Sequence, residues 1–141
     1  MKKTFKYDEE GYAICVIEYK HMQFCGDAIC HPDDEDFKSE RVGSFIAEQR
    51  ADLSLLRYKR DVELRPAIQT LEHLMDSFKR SSKHNKDSYE SRMMRRELYR
   101  LKNELAAVTN TIANIKLELR AYIHSKEKFY QRIREARNKQ S

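Results

Sequence analysis

The stretch MRRELYRLKNELAAVTNTIANIKLELRAY, residues 94–122, decides the fold because its apolar residues recur at alternating steps of four and three. These nine positions, called the seam below, are Met94, Leu98, Leu101, Leu105, Val108, Ile112, Ile115, Leu119 and Tyr122. A spacing of about 3.5 residues is typical of a coiled coil, whose contact stripe is narrower than the buried face of an ordinary surface helix. Because a narrow seam needs a second helix to cover it, we predict a partner helix and a homo-oligomer, either a dimer or a larger assembly.

The composition favours long helices over a loop-rich fold. Charged residues make up 36% of the chain, which contains only three glycines and two prolines. The net charge of +5 is uneven, since residues 1–40 carry five lysines and ten acids while residues 41–141 carry 23 basic and 13 acidic residues. A basic second half can bind anions or associate with the acidic first third of another copy.

The chain lacks the sequence signals of secretion and membrane insertion. No apolar run approaches the roughly 20 residues of a membrane span, and the Met-Lys-Lys start is not followed by an apolar segment. An odd number of cysteines, three, is typical of reduced thiols. We therefore expect a cytoplasmic protein with no membrane partner.

The first third, residues 1–36, predicts a β-hairpin. Tyr12–Tyr19 and Gln23–Cys30 are rich in β-branched and aromatic residues, with 20–22 between them as the turn, and residues 5–11 are interpreted as a polar lead-in. Pairing Tyr19 with Phe24 gives one nearly continuous apolar face. Since an isolated hairpin is marginally stable, we expect it to be extended or covered by another subunit.

Residues 37–80 predict a kinked helix that begins after a proline and a run of acids, which favour a helix N-terminus. Its expected inner side is formed by Val42, Phe45, Ile46, Leu53 and Leu56. Gly43 lowers helix propensity by about 1 kcal/mol, so we expect close packing against the hairpin there. Arg65-Pro66 predicts a kink or a restart of the helix.

The second part of this helix predicts a contact with the last helix. Leu64, Ile68, Leu71, Met75 and Phe78 repeat the four-three spacing, and residues 81–86 are the only plausible linker. Asp87 and Glu90 form a capping-box pattern, so residues 87–138 are predicted as one long heptad helix. Its weakest helix formers lie at 109–111, but the seam passes through them in phase, and we favour a continuous helix.

The predicted fold class is therefore mainly α with an N-terminal β-hairpin, an α+β arrangement in a single domain spanning residues 1–141. A kinked helix is followed by a long coiled-coil-like helix, and the whole is oligomeric.

Catalytic and metal chemistry find little support in the sequence. Three cysteines and two histidines lie near the hairpin (Cys15, His21, Cys25, Cys30 and His31), but strand alternation points Cys25 away from Cys15 and Cys30, so we predict no metal site. No nucleophile elbow or glycine-rich phosphate loop is present. We predict a protein that is not an enzyme and has no cofactor.

Anion recognition is the chemistry that the last helix favours. Tyr89, Arg92 and Arg96 lie near its start, and Arg134 and Arg137 near its end. Arginine forks bind phosphates and aromatic rings stack on bases. The opposing interpretation is an ordinary solvated helix surface, in which cations near the C-terminus complement the helix dipole.

Two segments carry a resemblance to a known family. Residues 26–37, GDAICHPDDEDF, followed by 43–51, GSFIAEQRA, resemble the first class of phage Thoeris anti-defence proteins. The resemblance covers the hairpin and first helix, and the remainder only as architecture. It implies a sponge that binds the cyclic ADP-ribose isomer made by a bacterial TIR-domain enzyme and sequesters it without cleavage, in the host cell cytoplasm. It also implies dimers that assemble further, with Tyr89 and Arg137 lining a ligand pocket between subunits.

Two other classes of function remain open. A coiled-coil structural or adaptor oligomer accounts for the heptads and the charged surface. A basic helical nucleic-acid-binding protein accounts for the positive second half, although such proteins more often carry a larger basic excess. We favour the nucleotide sponge because it also accounts for the arginines and aromatic residues at both ends of one helix.

Overall fold

The computed structural model describes residues 1–29, 40–81 and 88–140. Three strands come first: β1 (Lys2–Tyr7), β2 (Tyr12–Tyr19) and β3 (Met22–Ile29). They are followed by α1 (Glu40–Tyr58), a π-helical turn (Lys59–Leu64), α2 (Arg65–Arg80) and α3 (Tyr89–Gln140). The predicted order of a small antiparallel sheet followed by helices is confirmed, and the fold class is α+β.

The sheet has three antiparallel strands in the order β1-β2-β3, so the expectation of a polar lead-in before a two-stranded hairpin was wrong. β1 pairs along its whole length with β2, from Lys2 opposite Glu18 to Tyr7 opposite Ala13. Its sequence, KKTFKY, contains three lysines and few apolar residues, which hides the strand signal. Lysines are typical of edge strands, where charge discourages pairing with other chains.

The hairpin between β2 and β3 has a tighter turn than predicted. Tyr19 pairs with Met22, not with Phe24, which leaves Lys20 and His21 as a two-residue turn with φ of 49° and 64°. Positive φ at both positions is the geometry of a type I′ turn, whose twist matches that of the strands. The register therefore differs from the prediction by two residues. Because side chains alternate with period two, the predicted apolar face is nonetheless the inner face.

Helix α1 packs on that inner face through small side chains. The buried cluster joins Ala13, Cys15 and Ile17 of the sheet to a helix stripe formed by Ala47, Ala51 and Leu55. The expected inner side was therefore only partly right, since Val42, Ile46 and Leu56 are half-buried but do not belong to this cluster. Leu53 is buried, but Phe45 is 37% exposed and its ring lies 4.4 Å from that of Tyr122 in α3.

Gly26 of β3 is where the sheet and α1 approach most closely. A Cβ placed on Gly26 would lie 2.2 Å from the carbonyl oxygen of Ala47 and 2.2 Å from the backbone nitrogen of Ala51. The predicted packing of Gly43 against the hairpin is confirmed, since a Cβ there would lie 3.2 Å from the Cβ of Ala13. Only the contact at Gly26 involves backbone on both sides.

Polar contacts fix α1 across the sheet. Arg50 Nη1 donates to the carbonyl of Asp27 at 2.7 Å, and Ser54 Oγ to that of Cys25 at 3.4 Å. At the other edge of the sheet, in β1, Lys3 Nζ lies 2.9 Å from Glu48 Oε1 and 3.1 Å from Asp52 Oδ1. Burial by itself would lower the pKa of Lys3, but the hydrogen bonds to these two carboxylates outweigh it and raise the pKa.

The predicted kink at Arg65-Pro66 appears as a π-helical turn that leads directly into α2. The N–H of Arg65 donates to the carbonyl of Arg60, five residues earlier. Proline has no N–H, and its ring crowds the carbonyl four residues before it. The wider turn accommodates Pro66 without ending the helical run.

The chain divides into two compact units, Met1–Leu55 with Ala113–Ser141, and Leu56–Ile112. The second unit has a core of its own. In it Leu64 and Ile68 pack with Leu101, surrounded by Leu71, Leu98, Leu105 and Val108. The predicted contact between the second seam and the start of the long helix is thus confirmed. The single-domain organisation stays a prediction.

Helix α3 is continuous through residues 109–111, as predicted. Thr109 Oγ1 donates to the carbonyl of Leu105 and Thr111 Oγ1 to that of Ala107, so both hydroxyls bond within the helix. All nine seam residues are buried or half-buried in the single chain, and Ile112 is only 3% exposed. A second copy is therefore not needed to cover the seam, and the seam by itself no longer predicts an oligomer.

None of the described helices is long and apolar enough to cross a membrane.

Candidate anion-binding surface

The start of α3 is capped by Ser88, one residue later than predicted. Ser88 Oγ accepts a hydrogen bond from the N–H of Ser91 at 3.2 Å, and its carbonyl accepts from the N–H of Arg92 at 3.0 Å. Serine is a favoured N-cap residue because its side chain satisfies one of the free N–H groups. Asp87, the expected cap, lies outside the described residues. The helix therefore begins at Tyr89, whose side chain is 65% exposed.

Three arginines follow within the next two turns, and all are exposed. Among the described residues, no carboxylate or carbonyl is bonded to the side chains of Arg92, Arg95 and Arg96. Arg100 differs, since its guanidinium bonds Glu97 at 2.5 Å and Glu104 at 3.3 Å. Its hydrogen bond lowers the pKa of Glu97.

Helix stability does not explain this placement. The N-terminus of a helix carries partial positive charge, so acids stabilise it and cations destabilise it, typically by 0.3–1 kcal/mol each. Arg92 lies at the end of the first turn, near the acidic Glu90, and Arg95 and Arg96 lie in the second turn; none of the three has a compensating bond in the described chain. The same position suits a bound anion, which meets both the guanidinium groups and the helix dipole.

The other end of α3 has an ordinary structural explanation. Arg134 and Arg137 are exposed in its last turns, where cations complement the dipole, and both have further contacts within the chain. Aromatic residues accompany them: the rings of Phe129 and Tyr130 are 5.8 Å apart. Arg134 and Arg137 are therefore weaker candidates than the arginines at the start.

The five predicted site residues form two groups. Tyr89, Arg92 and Arg96 belong to the unit Leu56–Ile112, whereas Arg134 and Arg137 belong to the other unit. Because α3 is continuous, the two groups lie at opposite ends of one helix. A single chain does not bring them together.

The surface of α3 opposite the seam is a feature that sequence reasoning missed. Helical geometry places eight exposed residues there, none of them charged: Asn103, Ala106, Ala107, Asn110, Ala113, Asn114, Leu117 and Ala121. We call this surface the back face. Leu117 at its centre is 63% exposed. In a chain with 36% charged residues, the absence of charge along one face was a readable signal.

Charges of opposite sign border the back face. Glu104 and Glu118 lie along one side, and Lys102, Lys116 and Arg120 along the other. An uncharged stripe between charged borders is typical of helix–helix interfaces, where small residues permit close approach and flanking charges select the partner.

The cysteines do not form a metal centre in the described chain. No group of three or more histidine, cysteine or acidic side chains there could hold a metal ion. Cys15 is fully buried under α1, and burial raises the pKa of its thiol. Cys25 is exposed on the opposite side of the sheet. Cys30 and His31 lie outside the described residues.

Comparison with known proteins does not add to this geometry. No protein-family model matches the chain, and neither the curated proteins nor the solved structures contain a significant match.

Proposed function

We propose that this protein binds and sequesters a small cyclic signalling nucleotide, a cyclic ADP-ribose isomer, without degrading it, and so acts as a phage anti-defence protein in the host cytoplasm. The observation that carries the proposal is the start of α3. There an exposed Tyr89 precedes arginines that have no bonded partner in the described chain. A stacking ring beside guanidinium groups at the positive end of a helix suits a base joined to phosphates.

The proposal includes a dimer formed through the back face of α3. Most closed homo-oligomers contain two-fold axes, which place the same surface of both copies in contact. In an antiparallel pair, the heptad positions of the back face set Ala106 opposite Leu117 of the partner subunit and Asn110 opposite Ala113 of the partner subunit. At these two levels a larger side chain meets an alanine, and Asn103 lies opposite Arg120 of the partner subunit. A parallel pair would set Leu117 against itself and Ala106 against itself, which packs less evenly.

This antiparallel register also supports the choice of site residues. It sets Tyr89 opposite Arg134 of the partner subunit, with Arg137 of the partner subunit one turn further on. The two groups at opposite ends of one helix then form two equivalent sites per dimer.

A nucleic-acid-binding function is the alternative that the unpaired arginines favour. The affinity of a protein for long DNA and its affinity for a small nucleotide depend differently on salt concentration. A protein that neutralises many phosphates of duplex DNA loses affinity steeply as salt rises, through counterion release. The affinity of a closed pocket for one doubly charged ligand falls only slightly as salt rises.

Calorimetric titration with a cyclic ADP-ribose isomer tests the proposal. We expect submicromolar affinity for the unmutated protein and a loss of at least about a hundredfold in the double variant Arg92→Ala/Arg96→Ala, because each charged hydrogen-bond partner contributes about 1.5–3 kcal/mol. Arg137→Ala should also weaken binding while leaving the oligomer intact. Arg100→Ala is the matched control: it removes an arginine already bonded to Glu97, and binding should be unchanged.

The same titration against duplex DNA separates the two functions. Tight DNA binding with a steep salt slope would contradict the sponge and favour a nucleic-acid-binding protein. Absence of binding to either would favour a structural or adaptor oligomer.

A further inference from the structure

The two edges of the sheet differ in how α1 covers them. At the β3 edge, Arg50 and Ser54 of α1 donate to the carbonyls of Asp27 and Cys25, at 2.7 and 3.4 Å. These carbonyls point away from β2, where a further strand would otherwise bond to them. Helix α1 therefore protects the β3 edge against pairing.

The β1 edge presents free backbone groups. The N–H of Asp8 donates to the carbonyl of Tyr12 at 3.0 Å, which continues the ladder between β1 and β2. Because bonding alternates along an antiparallel strand, the N–H and C=O groups of Lys3 and Phe5 point away from β2. Among the described residues, no group bonds to the backbone of Lys3 or Phe5 on that side. A further strand can therefore pair with β1 through backbone hydrogen bonds.

The side chains beside β1 offer more than a protected edge needs. Phe5, at the centre of the strand, lies on the inner face opposite Cys15, yet it is 47% exposed. Beside it is an open hollow of about 580 Å³, lined by Phe5, Lys6, Tyr7, Asp8, Tyr12 and Ile14. Lysines by themselves protect an edge, but an exposed phenylalanine at its centre gives an added strand apolar surface to cover.

The lysines of β1 select the charge of that strand. Lys3 is already bonded to Glu48 and Asp52. Lys6 is exposed and lies opposite Ile14, so no acid on β2 faces it. A second copy of β1 would bring lysines together, and like charges on neighbouring strands are destabilising, whereas an acidic strand would place carboxylates beside Lys6.

We propose that β1 binds an extended acidic segment of another protein, in which acidic and apolar residues alternate, as a fourth strand of the sheet. Because side chains alternate between the two faces of a sheet, the apolar residues of the segment cover Phe5 and its acidic residues lie on the face of Lys6. This interaction goes beyond the proposed nucleotide binding and uses no residue of α3, so either can fail without the other.

Calorimetric titration with the blocked peptide EVEVEVE tests the proposal. The peptide EEEEVVV is a matched control, because it has the same composition and charge without the alternation. The peptide KVKVKVK keeps the alternation and reverses the charge. We expect EVEVEVE to bind at least about tenfold more tightly than either, since only it can combine strand pairing with favourable cross-strand charge pairs.

A pair of lysine variants separates recognition by β1 from attraction by net charge. Lys6→Glu should weaken the binding of EVEVEVE about tenfold or more, because it turns a favourable cross-strand pair into a repulsive one. Lys128→Glu makes the same change in net charge at an exposed lysine of α3. It should change the affinity by about twofold at most, since exposed charges far from the peptide are screened by salt.

Amide hydrogen exchange locates the bound peptide. The N–H of Phe5 should exchange at least about tenfold more slowly in the complex, whereas that of Thr4, already bonded to β2, should change little. Absence of binding, equal affinity for EVEVEVE and EEEEVVV, equal losses in the two lysine variants, or unchanged exchange at Phe5 would each overturn the inference. Exchange at Phe5 that slows with protein concentration alone would also overturn it and assign the edge to a second copy.

Discussion

Gly26→Ala should destabilise the protein by about 3 kcal/mol or more, an effect large enough to unfold a small domain of ordinary stability. The added methyl group would lie 2.2 Å from Ala47 O and 2.2 Å from Ala51 N. Both are backbone atoms of α1, so no side-chain rotation can relieve the overlap. The helix would have to move away from the sheet and open the cluster around Cys15 and Ile17. Chemical denaturation followed by circular dichroism measures the loss.

Gly43→Ala is the matched control because it adds the same methyl group at the same sheet–helix layer. Its Cβ would meet the Ala13 Cβ at 3.2 Å and the Tyr7 ring at 3.6 Å, which are side-chain atoms. Alanine also raises helix propensity by about 1 kcal/mol. The two contributions oppose each other, and we expect a net change within about 1 kcal/mol. If Gly26→Ala were as mild as this control, the close approach of β3 and α1 would be wrong.

Leu117→Asp should convert the proposed dimer to monomers while leaving the chain folded. Leu117 is 63% exposed in the single chain, so the substitution disturbs no core. In the dimer it would bury a charge against Ala106 of the partner subunit. A loss of several kcal/mol corresponds to a dissociation constant more than a hundredfold weaker. Sedimentation at micromolar protein concentration measures the change.

Leu74→Asp is the control, since Leu74 of α2 is 56% exposed and lies away from the back face. It should leave the assembly unchanged.

Exchanging the sizes of two facing residues tests the antiparallel register. Ala106→Leu should weaken the dimer by crowding Leu117 of the partner subunit, and adding Leu117→Ala should restore it. A dimer that Ala106→Leu strengthens by itself would favour a parallel pair. A monomer at these concentrations for the unmutated protein would contradict the dimer altogether.

The helical part of the fold was predictable because its signals are local. The seam has one periodicity from Met94 to Tyr122, and Arg65-Pro66 marks a backbone disturbance that no partner can remove. β1 was missed because an edge strand rich in lysine lacks the apolar alternation by which strands are recognised. The sheet-facing stripe of α1 was misplaced for a related reason. Large side chains were expected at the contact, but Gly26 brings the backbones so close that only Ala47 and Ala51 fit.

The candidate site was only half predictable. Arginines can be read from a sequence, but their partners cannot, and the structure separates Arg100, bonded to Glu97, from Arg92 and Arg96. The surface available for an oligomer could not be predicted for a similar reason. The seam appeared to need a second chain, yet its residues are covered within one chain, and the uncovered surface is the back face.

Binding without turnover is the central claim, and recovery of the ligand tests it most directly. The protein is incubated with a stoichiometric amount of the cyclic ADP-ribose isomer, unbound nucleotide is removed, and the complex is heat-denatured and assayed by mass spectrometry. We predict that the isomer is retained by the folded protein and released chemically intact after hours of incubation, and that Arg92→Ala/Arg96→Ala retains none. Recovery of a hydrolysed product, or failure of the unmutated protein to retain the isomer, would contradict the account.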